Sequence, residues 1–251
     1  MSKLFSLQGK FFTGVRNGTT GKPGALTWLG NVSEASVSLE TEQSDKNESF
    51  SGNRLLYGSL QKAKTANLTM TLDELLTENL ALGLFGTAAS VTGSSVVDEV
   101  MPSGLVAGDY IQLAHQFASA IVVKDSTGTP VTLVLGTKYS VESAAGGVLK
   151  ILDVTALVQP FKVSYSYAAA KNLAMFTNVT PPERWVHFDG YNTADGTSMV
   201  IELYRVQFNP VSNLGLINED WGGLQLTGKV FYDEINAADS TYGGFGRLVT
   251  P

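Results

Sequence analysis

Alternation with a period of two runs through most of the chain. Ala35, Val37 and Leu39 alternate with Glu34, Ser36, Ser38 and Glu40, which makes one face apolar and the other polar. That is the pattern of a strand buried on one side. Ala66, Leu68, Met70 and Leu72 alternate with Asn67, Thr69 and Thr71, and Leu224, Leu226 and Val230 with Gln225, Thr227 and Lys229. From Met199 to Phe208 both faces are apolar, with Val200 and Val206 on one and Ile201 and Leu203 on the other. This predicts a strand covered on both sides or lying in a subunit interface. One segment has a helical period instead. DELLTENLALGLFG, from about Asp73, carries Leu75, Leu76, Leu80, Leu82 and Leu84, and predicts a short helix. Thr71 and Glu74 have capping-box spacing, Asp73 and Glu74 suit a first turn, and Gly86 is a plausible stop.

Turn chemistry divides the remainder. Asn17-Gly18 and Asp195-Gly196 are two-residue turn signals between apolar runs. Thr41–Asn53 (TEQSDKNESFSGN) is polar, mixed in charge and anchored only by Phe50, so it is expected to be a long exposed loop or a hairpin tip. From about Gly93 to Ala170 the texture changes to short β-like runs: Tyr110–Leu113, Ala120–Lys124, Val131–Leu135, Lys138–Glu142, Val148–Leu152 and Phe161–Tyr167. Turns such as Gly146-Gly147 separate them, and the spacing suggests a small sandwich or barrel. TAASVTGSS before the block has linker composition, and YAAAKN after it reads as a second joint. The expected organisation is therefore a discontinuous β domain, residues 1–92 and 171–251, interrupted by an inserted β domain, residues 93–170. Tyr242–Pro251 is glycine-rich and weakly patterned, like a terminal arm.

Composition narrows the function. Of 251 residues, 43% are hydrophobic and 16% charged, below the roughly one quarter charged that is usual. The chain should fold, and part of its surface should meet protein. With a net charge of −6 and no Lys/Arg cluster, stable nucleic-acid binding is disfavoured. The absence of cysteine removes disulfides, thiolate nucleophiles and Cys-based zinc sites. MSKLFSLQGKFF lacks the apolar core of a signal peptide, and no stretch is apolar for long enough to span a bilayer. No membrane insertion is expected, and synthesis should be cytoplasmic.

Catalytic constellations are sparse. There are two histidines, His115 and His187. His187 and Asp189 share a strand face, but no nucleophile or third ligand has recognisable spacing. Glu40, Glu42, Asp45 and Glu48 lie on the polar segment without the spacing of a calcium loop. Gly243–Gly246 lacks a following Lys-Ser/Thr and helix, and there is no G-x-S-x-G elbow. Trp28, Trp185 and Trp221 are far apart, as expected for packing or interface residues. The expectation is a non-enzyme with no catalytic residue, cofactor or metal.

A pattern of larger scale remains. An N-terminal strand pair leads into the polar segment Thr41–Asn53. A long strand, Leu55–Leu72, then runs into the leucine-rich helix, closing strands follow, and the chain ends in an arm. With the phrases KTANLTMTLDELLTENLALGLFG and RVQFNPVSNLGLINEDWGGLQLTGKVFYDE, residues 1–90 and 172–251 resemble the major tail tube proteins of long-tailed (siphophage-type) bacteriophages. The resemblance implies an all-β fold with one short helix, in which two antiparallel sheets pack as a tail-tube-like sandwich or barrel. It implies hexameric rings that stack into a tube in the virion tail, with other tail proteins at the ends. DNA would pass transiently through an acidic lumen during ejection. The inter-ring contacts would fall on Glu42, Asp45, Lys46, Glu48, Phe50 and Arg54, and the terminal-arm contacts on Tyr242, Phe245, Arg247 and Leu248. The insertion would sit on the tube exterior. Alternatives are another ring or tube subunit (distal tail or type VI secretion tube) and a small-ligand-binding β-barrel.

Overall fold

A computed structural model describes residues 4–251; Met1–Lys3 of the N-terminal segment lie outside the described residues. The chain divides into unit 1, residues 1–88 and 173–251, and unit 2, residues 89–172.

Unit 1 begins with β1 (Leu7–Arg16), β2 (Pro23–Trp28), β3 (Val32–Asn47), β4 (Leu56–Leu72) and α1 (Thr77–Gly83). β5 (Thr87–Val91) leads out of it. Unit 2 contains β6 (Ser94–Val100), β7 (Tyr110–Gln112), β8 (Ala118–Lys124), β9 (Tyr139–Ser143), β10 (Val148–Ile151) and β11 (Lys162–Tyr167). β12 (Ala170–Ala174) leads back to β13 (Arg184–Asn192), β14 (Ser198–Phe208), β15 (Leu224–Val230), α2 (Glu234–Ala237) and β16 (Gly246–Val249). The fold is all-β, with antiparallel sheets and a second short helix, α2, beside the expected one.

A single sheet in the order β2-β1-β13-β14-β15-β4-β3 builds unit 1, with β16 added to β14. Among the described residues, the two halves that pack on each other are parts of this one continuous sheet. β14 joins the halves: its residues 200–203 pair with β16, and its residues 206–208 pair with β15. Side chains from both halves meet in one core, including Leu68, Met70 and Leu226 from one and Val186, Leu203 and Val206 from the other. Leu203 and Val206 were expected on opposite faces of β14. They share the core because the β13–β14 register shifts between Arg184 and Val186, where two residues of β14 stand opposite one of β13. Between them Tyr204, fully buried, packs on Trp185 of the other face at 4.8 Å. That strand is thus covered on both sides within the subunit.

Unit 2 has two three-stranded sheets, β7-β10-β9 and β6-β11-β8. Leu149 and Ile151 of one and Val123, Val163 and Tyr165 of the other share a second core. Val131–Leu135 is not a strand. It makes only isolated bridges, and Val131 and Leu135 are exposed.

Three local features differ from the sequence pattern. The helix starts at Thr77, with Leu76 in the capping position and no side-chain cap. Asp73 instead accepts hydrogen bonds from Asn31 Nδ2 at 2.5 Å and Ser33 Oγ at 2.7 Å, and Glu74 accepts from the Asn31 amide. These acids pin the end of β4 to the start of β3, a tertiary use that competes with capping. The stretch TAASVTGSS does hold the boundary between the units, but as a strand and not as an unstructured joint: β5 pairs with β12 as a two-stranded ribbon, and β6 follows at once. Its small residues extend because a partner strand offers hydrogen bonds, which composition does not show. Asn17-Gly18 opens a longer connection than a two-residue turn. Asn17 Oδ1 accepts from the Thr19 and Thr20 amides, and Gly21 supplies the positive φ.

Candidate interaction surfaces

β3 and β4 form a hairpin whose two halves have different environments. Near its base, Ala66, Leu68, Met70 and Leu72 fill the core. Beyond Ala66 nearly every residue of both strands is exposed. Leu39, Leu56, Tyr57 and Leu60 are each more than 60% exposed, an unusual set for one hairpin. The segment Thr41–Asn53 is therefore not a loop for most of its length. β3 continues to Asn47, and only Glu48–Leu55 makes the tip.

The tip is built around Glu48. Its carboxylate is buried and accepts hydrogen bonds from the amides of Phe50 (2.7 Å), Ser51 (2.8 Å) and Leu55 (3.3 Å), and from the Ser51 hydroxyl. The Ser51 hydroxyl and amide hydrogen bonds, with those of Phe50 and Leu55, hold its pKa down to about 2. Arg54 takes a positive φ of 51° to close the turn. The result is a preorganised end that presents Phe50, 80% exposed and edge-on to Tyr57 at 6.1 Å. Of the six candidate contact residues in this region, Glu42, Asp45, Lys46, Phe50 and Arg54 are exposed. Glu48 is turned inward and shapes the tip. A residue three positions before a serine was the only signal of that role.

A groove of about 970 Å³ opens between β1 and β3. Phe11, Val186, Phe188, Ile201 and Leu203 line its depth, and Ala35 and Val37 of β3 its rim. The apolar face of β3 that alternation marked for burial is thus left at the edge of an open groove, with Val37 42% and Leu39 77% exposed.

The C-terminal candidates are not on a free arm. β16 pairs with β14, Arg247 Nε lies 2.6 Å from Glu202, and the Tyr242 carbonyl accepts the Tyr204 hydroxyl at 2.7 Å. Phe245 packs against the core, and only Leu248 among the four is exposed. Gly246 admits the backbone against β14, where a Cβ would overlap the Glu202 carbonyl, and Gly244 makes room for the Tyr232 ring. His187 stands 3.6 Å from that same Glu202, while Asp189 is exposed. His115 stacks on Tyr167 with ring centroids 3.9 Å apart. Trp185 is core, whereas Trp221 is 98% exposed. Among the described residues no three His, Asp or Glu side chains group as a metal site.

A family model described as protein of unknown function UCP028589 matches residues 4–249. The chain belongs to this family. No curated protein matches it. The UCP028589 match runs through both units, so the inserted unit belongs to the family pattern as much as the hairpin does.

Proposed function

We propose that the chain is a structural subunit of a phage tail tube. Its copies form hexameric rings that stack, and the acidic lumen conducts viral DNA during ejection. The observation that carries this reading is the β3–β4 hairpin. A two-stranded ribbon is marginal in water without a third strand or a packed face. Beyond Ala66 this one has neither, yet it holds a shaped tip and exposes Leu39, Phe50, Leu56, Tyr57 and Leu60. A neighbouring copy would supply the missing contacts, and the mixed charges Glu42, Asp45, Lys46 and Arg54 would set register more than affinity. Both end strands of the sheet point the same way. Among the described residues β2 pairs only with β1 and β3 only with β4, so each leaves an edge that a second subunit could extend. A net charge of −6 suits a channel that DNA must pass without sticking. Unit 2 would lie on the outside, where it obstructs neither channel nor stacking.

Negative-stain microscopy of the purified protein tests the proposal, with hexameric rings or indefinite tubes as the expected result. The groove between β1 and β3 favours one competitor, since its volume is that of a small-ligand site. A monomer at all concentrations that takes up an aliphatic probe in this groove would replace the tube reading with that one.

A further inference from the structure

Arg184 begins β13, opposite Val15 of β1 and Val206 of β14. Alternation along β13 puts it on the face of Val186 and Phe188, both buried in the apolar interior. A cation is thus directed to the side of the sheet where charge is least welcome. Leu82, Phe85, Asn178, Pro181, Pro182 and Phe208 close around it and leave a cavity of about 50 Å³.

Among the described residues no carboxylate pairs with this guanidinium. Its Nε is buried without a hydrogen-bond acceptor among the described residues. The adjacent carboxylate, Glu183, is committed elsewhere, to Arg16 at 3.4 Å and Arg205 at 2.6 Å. Desolvation pulls the Arg184 pKa below its ordinary value, but an arginine stays protonated, so the charge remains to be met. A half-buried cation of this kind is costly unless paired and hydrogen-bonded.

The other polar groups of the cavity are neutral and partly used. Asn178 Nδ2 donates to the Gly86 carbonyl at 3.1 Å, and its amide to the Phe85 carbonyl at 3.0 Å. Pro181 and Pro182 have no N–H. Among the described residues that line the cavity, the only charged donor is therefore this planar fork. That geometry matches a planar, acceptor-only carboxylate, which can take two parallel hydrogen bonds. A tetrahedral oxyanion would want donors from several sides.

We propose that the Arg184 cavity is a carboxylate-binding site. The group is either a small free carboxylate or an Asp or Glu side chain of a second copy of this chain. The site does not depend on the tube reading, because a monomer carries it whole.

The buried Nε–H should give a resolved signal in proton–nitrogen spectra of the full chain, and acetate is the probe. The expected result is a saturable shift of that signal at about millimolar acetate, with no such shift in sodium chloride of equal ionic strength. Arg184→Met should abolish the accompanying shifts of the Phe85 and Gly86 amides while leaving the thermal midpoint unchanged or raised. If raising the protein concentration without acetate moves the same signal, and acetate reverses the move, the carboxylate comes from a second copy. A signal that responds to neither acetate nor protein concentration overturns the proposal, as does an acetate response that survives in Arg184→Met. If that variant does not fold, the titration of the unaltered chain decides alone.

Discussion

The Arg16 guanidinium donates two hydrogen bonds of 2.9 Å to the Asp233 carboxylate across 217 positions of the chain. The pair joins the end of β1 to α2, because Asp233 also caps that helix through the Ile235 and Asn236 amides. Asn236 extends the network from its amide nitrogen to the Gly21 carbonyl at 2.9 Å. Burial would push the Asp233 pKa up; the hydrogen bonds from Arg16 and Asn236 outweigh it and hold the pKa below the ordinary value.

Removing one member of such a pair strands the other in a buried site. Asp233→Ala should lower the stability of unit 1 by about 3–5 kcal/mol, read as a reduced urea midpoint. The pH dependence follows from the lowered pKa. The stabilisation from Asp233 is complete above the unfolded carboxylate value near 3.9 and is lost as pH falls through the lower folded value. The stability difference between Asp233→Ala and the unaltered chain should therefore narrow only in acid. A difference that stays constant down to pH 2 would contradict the role given to the carboxylate.

Glu48 should behave as a local lock. Its folded pKa of about 2 lies below the ordinary glutamate value near 4.3, so its hold on the tip is full above pH 4.3 and fades as pH falls through 2. The Phe50, Ser51 and Leu55 amide signals should titrate with a midpoint near 2. Glu48→Ala should disperse these signals at neutral pH and leave the spectra of β4 from Ala66 to Leu72 unchanged. A midpoint near 4 would mean that the tip does not hold the carboxylate.

Hairpin length should separate assembly from folding. Deleting Gln43–Gln61, which pair with each other in the hairpin register, and closing the ends with a short turn should leave a folded β protein, because its core contacts begin at Ala66. By the tube reading that protein no longer stacks. Normal tubes from the shortened chain, seen by microscopy, would remove the hairpin from the assembly contacts.

Two cores should give two transitions. Leu149 and Leu68 are each almost wholly buried, but in different clusters. Leu149→Ala should lower the unfolding midpoint of unit 2 only, and Leu68→Ala that of unit 1 only, each by about 2–5 kcal/mol. Calorimetry or hydrogen exchange resolved by segment can check this. Coupled loss of both units from either change would show that they fold as one.

Local pattern carried the sequence a long way. Period-two alternation identified Ala66–Leu72 and Leu224–Val230 as core strands, and they are. Gly147 and Gly196 mark turns where φ is positive, at 66° and 76°. These features are legible because alternation and turn propensity are properties of neighbouring residues. Tertiary structure decided the rest. Asp73 and Glu74 read as helix-capping acids until Asn31 and Ser33, some forty residues earlier in the chain, claim them. TAASV and GRLV become strands only because β12 and β14 offer free hydrogen-bonding edges. β3 has the alternation of a buried strand, yet its apolar face is left open, because burial depends on what a fold places opposite. Glu48, Asp233 and Arg184 are ordinary charged residues in the sequence. Their roles come from desolvation and from partners brought close by distant segments, which composition and spacing do not encode.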